Sequence, residues 1–359
     1  MKKKIVFFTE SMELMGGMER VIAFLANELV PEYDVRVLTM YGEECTYFEL
    51  HCPIDTLNIQ IPARGLLNKI QRYVQTINRL KQYLKCNLDI EYLVANSAAM
   101  SGSAMLLKVL TNTSVKMIPF EHNKFMFPGK AWRFLRKYTF TKAHRVIALT
   151  RDAHEDYLKI NSPSVHIPNA VAMTTDHISK VDNKKLLAVG RLVYQKGFDT
   201  LLPVWKEVIA SYPEWQLEIV GDGEDGLMLK ALADKLEITD NVIFFGQSND
   251  IQDRYLSASG FILSSRYEGF CLVMIEAMAH GLPCVSFDCE SGPNEVIENG
   301  INGYLVEDQN ATELADKIKQ YIALTLEEKQ KMSLNAKETS YRYSPEIIIE
   351  RWKKEVLND

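Results

Sequence analysis

The chain has 359 residues, 47% of them hydrophobic and 25% charged, an ordinary globular composition that excludes disorder and fibrous repeats. That length exceeds what one hydrophobic core usually supports, at roughly 100–200 residues per domain, and predicts two domains with a cleft between them. The net charge of −6 hides an asymmetry: residues 1–180 carry 23 Lys and Arg against 17 Asp and Glu, so this part is basic and the remainder acidic, which suits either solvated surface or an anionic partner such as lipid headgroups.

The three opening lysines lead into a four-residue apolar run, Ile5–Phe8, too short for a signal peptide. Lys4–Phe8 reads as a strand, followed by a glycine-containing loop and an amphipathic helix over Met18–Leu29. Val35–Met40 is the next strand, Lys69–Leu84 a helix, and Tyr92–Ala95 and Val115–Phe120 are strands, the latter ending at Glu121-His122-Asn123. After Val146–Leu149 and Val165–Ala170, polarity rises across Thr174–Lys185, read as a linker. A second start follows, with Leu186–Val189 a strand, Gly190–Gly197 a loop and Thr200–Ala210 a helix. Further strands are predicted at Gln216–Val220, Val242–Phe245, Gly260–Leu263 and Pro283–Phe287. Strands alternating with helices imply parallel sheets, and the domains are expected at 1–175 and 176–343, with 344–359 a terminal helix.

No stretch reaches the ~20 apolar residues of a membrane-spanning helix, so the expected body is soluble and cytoplasmic. The six cysteines, Cys45, Cys52, Cys86, Cys271, Cys284 and Cys289, form no CxxC pair and no zinc-like spacing with histidine, which suits a reduced compartment. Nucleic acid is not an expected partner, because no recognised binding motif accompanies the basic charge.

In open α/β sheets ligands sit outside the carboxyl ends of the strands. Gly16 and Gly17 fall after the first strand, either as a tight turn or as a place where a ligand approaches backbone amides. They lack the GxGxxG spacing of dinucleotide-binding proteins. Arg191 and Lys196 lie five residues apart in a glycine-bounded loop. They are two surface cations, or else they neutralise a diphosphate, whose negative charge grows as a sugar–phosphate bond breaks. Glu268 and Glu276 lie eight residues apart across a loop-to-helix junction containing Gly269, Phe270 and Cys271. One acid in a helix's first turn is ordinary dipole chemistry. The full string EGFCLVMIEAMAHGLP is more specific, and it fits a helix N-terminus that faces phosphate or sugar oxygens. His122 is either structural or part of a site. The Asp222-Gly223-Glu224-Asp225 cluster reads as a polar loop, and Ser291–Glu295 as a turn or a ligand-side segment.

Taken together, MGGMERV, EHN, IPNAV, VGRLVYQKGFDTLL, VGDGED and EGFCLVMIEAMAHGLPCVSFD resemble glycosyltransferase family 4, over nearly the whole chain. The resemblance implies a GT-B fold, two Rossmann-like doubly wound parallel-sheet α/β domains facing each other across a cleft, the first binding acceptor and the second a nucleotide sugar. It implies transfer of a hexose or N-acetylhexosamine with retention from a donor such as UDP-Gal, UDP-GalNAc or UDP-GlcNAc. No metal or other cofactor is expected. Arg191 and Lys196 would hold the diphosphate, Glu276 the ribose and Glu268 the sugar hydroxyls. Gly17, with Gly16, would admit the phosphate, Gly269, Phe270 and Cys271 would line the donor, and His122 would lie beside the sugar. The terminal helix, Pro345–Val356, would return to the first domain.

EHN followed by AWRFLRK, and SGPNE, are similar to segments of enzymes that build bacterial surface glycans, such as lipopolysaccharide or capsule. The expected acceptor is therefore a glycan or polyprenyl-diphosphate-linked precursor. Two basic amphipathic stretches, Arg64–Lys85 and Lys130–Arg145, suggest peripheral binding to an anionic membrane face. In the second, Trp132, Phe134 and Leu135 lie beside Arg133, Arg136 and Lys137. The alternatives are a UDP-sugar epimerase of the same fold and a non-catalytic sugar-binding subunit.

Overall fold

A computed structural model describes the chain except for residues 1, 14–15, 43–45, 61–64, 123–128, 172–174, 176, 249, 291 and 359, and except for the side chains of residues 66, 130 and 131. Asn123, Ser291, Cys45, Arg64 and the start of the expected linker lie outside the described residues. The chain divides into two compact units, Met1–Asn169 with Glu346–Asp359, and Ala170–Pro345.

The first unit runs β1 (Lys4–Thr9), α1 (Gly17–Leu29), β2 (Asp34–Thr39), β3 (Ile54–Thr56), α2 (Leu66–Cys86), β4 (Ile90–Asn96), α3 (Ala98–Thr111), β5 (Lys116–Phe120), α4 (Lys130–Thr139), β6 (Val146–Ala148), α5 (Arg151–Lys159) and β7 (Ser164–His166). Its sheet is parallel, in the order β3-β2-β1-β4-β5-β6-β7. Helices cover both faces, so β1 and β4 are nearly continuous apolar runs rather than alternating ones; Ile5, Val6, Phe7 and Phe8 are all fully buried. Chain order reverses between β1 and β4, and a ligand crevice is expected beyond the strand ends at such a point.

The second unit runs β8 (Lys185–Val189), α6 (Phe198–Ile209), β9 (Gln216–Val220), α7 (Gly226–Lys235), β10 (Val242–Gly246), α8 (Ile251–Ser257), β11 (Gly260–Leu263), α9 (Leu272–Ala279), β12 (Cys284–Phe287), α10 (Pro293–Val296), β13 (Gly303–Val306), α11 (Ala311–Ala323) and α12 (Leu326–Tyr341). The parallel order β10-β9-β8-β11-β12-β13 repeats the reversal, now between β8 and β11. Its core gathers Trp205, Phe198, Leu201, Leu217, Ile219, Phe287 and Tyr321. A capping box at Thr325 and Glu328 starts α12, satisfying two amides that a helix end leaves open.

The last helix, α13 (Pro345–Arg351), continues as a wider turn over Trp352–Leu357. That turn is tied to the first unit: Trp352 meets Phe120 edge-on with ring centroids 5.3 Å apart, and Tyr92 donates to the Leu357 carbonyl at 2.7 Å.

Two expectations are corrected. Ser179 and Val181 are buried, and Ser179 bonds to the carbonyls of Ala258 and His280, so the polar stretch read as a linker is packed onto the second unit there. Arg136, expected to face lipid headgroups, is completely buried and ion-paired to Glu121 at 2.5 Å. Trp132 is half-buried against Tyr73, with ring centroids 5.9 Å apart. A basic residue inside an amphipathic pattern can be the inward one, and the pattern alone does not reveal a buried acid on another element.

Candidate active site

At the reversal point of the second unit, two loops lock together. The loop after β8 ends in a single helical turn, Tyr194–Lys196, closed by Gly197 at φ +66°. A side chain there would place its Cβ 2.1 Å from the Ser264 carbonyl oxygen, so glycine is required both by conformation and by close approach. Arg266, in the loop after β11, clamps this turn. Its guanidinium binds Asp199 through both ends at 2.8 and 2.7 Å, donates to the Tyr194 carbonyl at 2.6 Å and lies 4.0 Å over the Tyr194 ring. The fork-to-fork pairing holds Asp199 below the usual carboxylate range and fixes geometry that a lysine cannot reproduce. The Ser264 hydroxyl donates to the Lys196 carbonyl at 2.9 Å.

The clamp sets Lys196 against Glu268. Lys196 Nζ lies 2.7 Å from Glu268 Oε1, and the Ser265 hydroxyl donates to the same oxygen at 2.6 Å. Glu268 is 7% exposed. Among the described residues its Oε2 accepts no hydrogen bond, which leaves an acceptor for a ligand hydroxyl. Arg191 is exposed, and among the described residues its guanidinium has no ion pair. Lys196 and Glu268 are thus brought together, while Arg191 makes no ion pair with Glu268.

Shortly after Glu268 the chain turns into α9, whose N-terminus has no side-chain cap; the Leu272 and Met274 amides bond to the Phe270 and Cys271 carbonyls, which leaves the Val273 amide, among the described residues, to meet an anion. Phe270 and Cys271 are buried. Phe270 packs its ring 5.8 Å from that of Tyr343, and burial pushes the Cys271 thiol well above its ordinary range. Neither side chain is presented as a reactive group; what Gly269, Phe270 and Cys271 can offer a ligand is main chain. Glu276, in the second turn of α9, is buried and accepts from the Tyr255 hydroxyl at 3.2 Å. Tyr255 stacks on His280 at 4.9 Å, and His280 Nδ1 donates to the Glu276 carbonyl at 2.7 Å. Burial lowers the His280 pKa, so this support is neutral.

In the first unit, His122 follows β5. Its ring packs 4.2 Å from that of Phe120, and its Nε2 lies 3.5 Å from Asn96 Oδ1. The Asn96 amide donates to the carbonyls of Phe8 and Val94, so Oδ1 must accept and His122 Nε2 must carry the proton. Burial pushes the imidazole pKa down to about 3. His122 is therefore neutral at physiological pH, with Nδ1 as an acceptor. Glu121, given no role by the sequence, is buried and binds both Arg136 and the Tyr157 hydroxyl, the latter at 2.9 Å. It anchors the strand end from which His122 projects.

The two glycines after β1 differ. A Cβ on Gly16 would lie 2.0 Å from a Glu19 carboxylate oxygen, whereas one on Gly17 would meet nothing within 4 Å. Gly16 is small because Glu19, the third residue of α1, folds back over the helix start, as acids in capping boxes do. Gly17 alone faces open space.

Sequence reasoning missed Asp199, Ser265, Arg266, Tyr255 and His280. Asp199 and Arg266 lie within or beside the strings it used, but a pair separated by 67 residues leaves no local periodicity.

The two parallel-sheet α/β units are those of the GT-B fold, and comparison with known proteins shows the class. Residues 15–174 match the model of Glycosyltransferase Family 4 and residues 174–339 that of Glycosyl transferases group 1. An uncharacterized glycosyltransferase of Haemophilus influenzae is 35% identical, with 98% of this chain and 99% of that protein covered. The amylovoran biosynthesis glycosyltransferase AmsD of Erwinia amylovora is 28% identical, with 99% of each covered. The fold is shared with Anabaena HepE solved in complex with UDP, at TM-score 0.78 and 18% identity over 99% of each chain. The chain belongs to this glycosyltransferase family.

Proposed function

We propose that the protein transfers a hexose or N-acetylhexosamine from a UDP-sugar, with retention and without a metal, to a surface glycan or its lipid-linked precursor. The observation that carries this reading is the Lys196–Glu268–Ser265 cluster set beside the uncapped start of α9. A departing UDP gains negative charge as the glycosidic bond breaks. A fixed ammonium, with the Val273 amide at the positive end of α9, stabilises that charge more in the transition state than in the ground state. Lys196 and Arg191 take the diphosphate, Glu268 Oε2 accepts a sugar hydroxyl, and Glu276 takes the ribose. His122, held neutral by its burial, accepts a sugar hydroxyl at Nδ1. The buried Cys271 thiol is no nucleophile, which favours a mechanism in which the leaving phosphate helps deprotonate the acceptor. UDP is supported by the bound nucleotide of HepE, and a surface glycan by the named role of AmsD.

Among the described residues no helix is long and apolar enough to cross a membrane. Peripheral binding to an anionic membrane face is proposed through α2. Its exposed Leu67, Ile70 and Val74 lie on one helical face with Lys81 and Lys85. On α4 the exposed Phe134 and Tyr138 accompany Lys137. Vesicle sedimentation tests this, since binding must require anionic lipid and weaken with salt.

A panel of nucleotide sugars screened by thermal shift, repeated with EDTA, tests the main reading. A UDP-sugar should raise the melting temperature in proportion to occupancy, unaffected by chelation. Turnover of donor without acceptor to an epimerised sugar, or no stabilisation by any nucleotide, refutes it.

A further inference from the structure

The first unit contains a cavity of about 380 Å³ that no residue discussed as a donor ligand lines; Glu10 and Met40 lie at the ends of β1 and β2, and the other walls come from α2, α3 and α4. Its volume falls in the range of small-molecule sites, roughly 300–1,000 Å³. One wall is aromatic: the rings of Tyr73 and Trp132 meet at 55°, two apolar faces set at a corner. Trp132 reaches this place because α3 carries glycine opposite it. A Cβ on Gly102 would lie 2.1 Å from the indole, so the aromatic wall depends on a small residue on the neighbouring helix.

The polar wall is charged. Arg72 is mostly buried and its guanidinium lies 5.0 Å over the Tyr41 ring, a cation–π seat that holds it in place. Glu10 accepts from the Tyr41 hydroxyl at 3.5 Å and stands 3.9 Å from Arg72, the outer limit of an ion pair, so both retain hydrogen-bonding capacity. Lys69 adds a second cation at the rim. The hydroxyls of Thr76 and Ser103 are spent on the carbonyls of Arg72 and Ala99, at 2.8 and 2.9 Å. Recognition therefore falls to one carboxylate, two cations and two rings.

We infer that this cavity binds the acceptor and that the acceptor is a sugar ring bearing an anionic group, a carboxylate or a phosphate. The C–H face of the ring packs on Trp132 and Tyr73, a hydroxyl donates to Glu10, and the anion meets Arg72 and Lys69. Two cations against one carboxylate leave one positive charge, which one anion on the ligand neutralises. The identity of the ligand as acceptor rests on the transferase reading; the chemistry of the cavity does not.

The test titrates methyl glucuronide, glucose 1-phosphate, methyl glucoside and inorganic phosphate into the full chain with UDP saturating, reading affinity by ligand NMR. At least one of the two anionic sugars should bind tenfold or more tightly than both methyl glucoside and inorganic phosphate, and their ranking separates carboxylate from phosphate. Trp132→Ala and Arg72→Gln should each weaken that binding at least tenfold with UDP affinity unchanged, while Trp132→Phe, which keeps an aromatic face, should retain most of it. Equal binding of neutral and anionic sugars, no binding of any of them, or normal binding by either Trp132→Ala or Arg72→Gln, overturns the inference and leaves the transferase reading intact. Failure of the unmodified chain to bind UDP overturns the transferase reading instead, and the same titrations without nucleotide then decide the cavity alone.

Discussion

The two units share a strand-order reversal and a parallel sheet, yet they use charge at the strand ends in different ways. In the second, Lys196, Glu268, Arg266 and Asp199 are paired with one another at 2.7–2.8 Å across two loops, so the charges that would meet a donor are already positioned. In the first, the pair Glu121 and Arg136 is sealed in the interior, while Glu10 and Arg72 border a roomy cavity at 3.9 Å. One topology thus carries a pre-set electrostatic site and, separately, an open pocket beside a structural ion pair. Preorganisation suits the place where charge develops in a reaction; an open pocket suits binding.

That contrast predicts the largest effect in a residue with no chemical task. Arg136→Ala leaves the buried Glu121 carboxyl, whose pKa burial already raises, without its partner, and should cost about 3–5 kcal/mol in urea unfolding. The apolar pair Glu121→Leu with Arg136→Met should regain most of that loss, because two desolvated charges are removed together. Equal stability of the single variant and the unmodified chain breaks the assignment of this pair as structural.

Lys196→Ala should do the reverse, leaving the fold intact and lowering turnover about a hundredfold, or ~3 kcal/mol of transition-state stabilisation. Its ammonium pairs with Glu268, which keeps the hydrogen bond from the Ser265 hydroxyl without it. Glu276→Ala should match it in turnover. Near-normal rates in both variants, measured as UDP release, sink the donor-site assignment.

Much of this arrangement was legible because it is local. The buried strands are short apolar runs with glycine or polar ends, and Gln216–Val220 and Gly260–Leu263 coincide with the observed strands. The site strings were legible for the same reason, since Arg191 with Lys196 and Glu268 with Glu276 each sit in one loop or loop–helix junction. What escaped was set by distance along the chain. β3 has three half-buried residues and draws its stability from pairing with β2, not from its own pattern. Arg136 reads as a surface cation because its burial is decided by Glu121 and Tyr157, which belong to other elements. Gly16 reads as a ligand-side glycine because the Glu19 side chain that fills its space becomes visible only in three dimensions.

The smallest predicted effect concerns His122, whose role in the contrast is to be polar without being charged. Its pKa is about 3 in the folded chain against about 6.5 in an unfolded one. The unfolded state therefore binds more protons between these values, and the contribution is fully present above pH 6.5 and lost as pH falls toward 3. The slope from this one group is at most about 1.4 kcal/mol per pH unit. Burial lowers the His280 pKa in the same direction, so the measurement is a difference: urea unfolding of the unmodified chain and of His122→Gln at pH 7, 6 and 5. Glutamine keeps an N–H for Asn96 Oδ1 and has no proton to gain. The stability advantage of the unmodified chain over the variant should shrink steadily from pH 6.5 downward, and the pH dependence of kcat/KM in both should lack an ionisation near 6.5 assignable to this residue. Parallel stability curves, or a kcat/KM ionisation near 6.5 that vanishes in His122→Gln, show that the imidazole titrates in its ordinary range in the native state and return it to the position of a proton-transfer group.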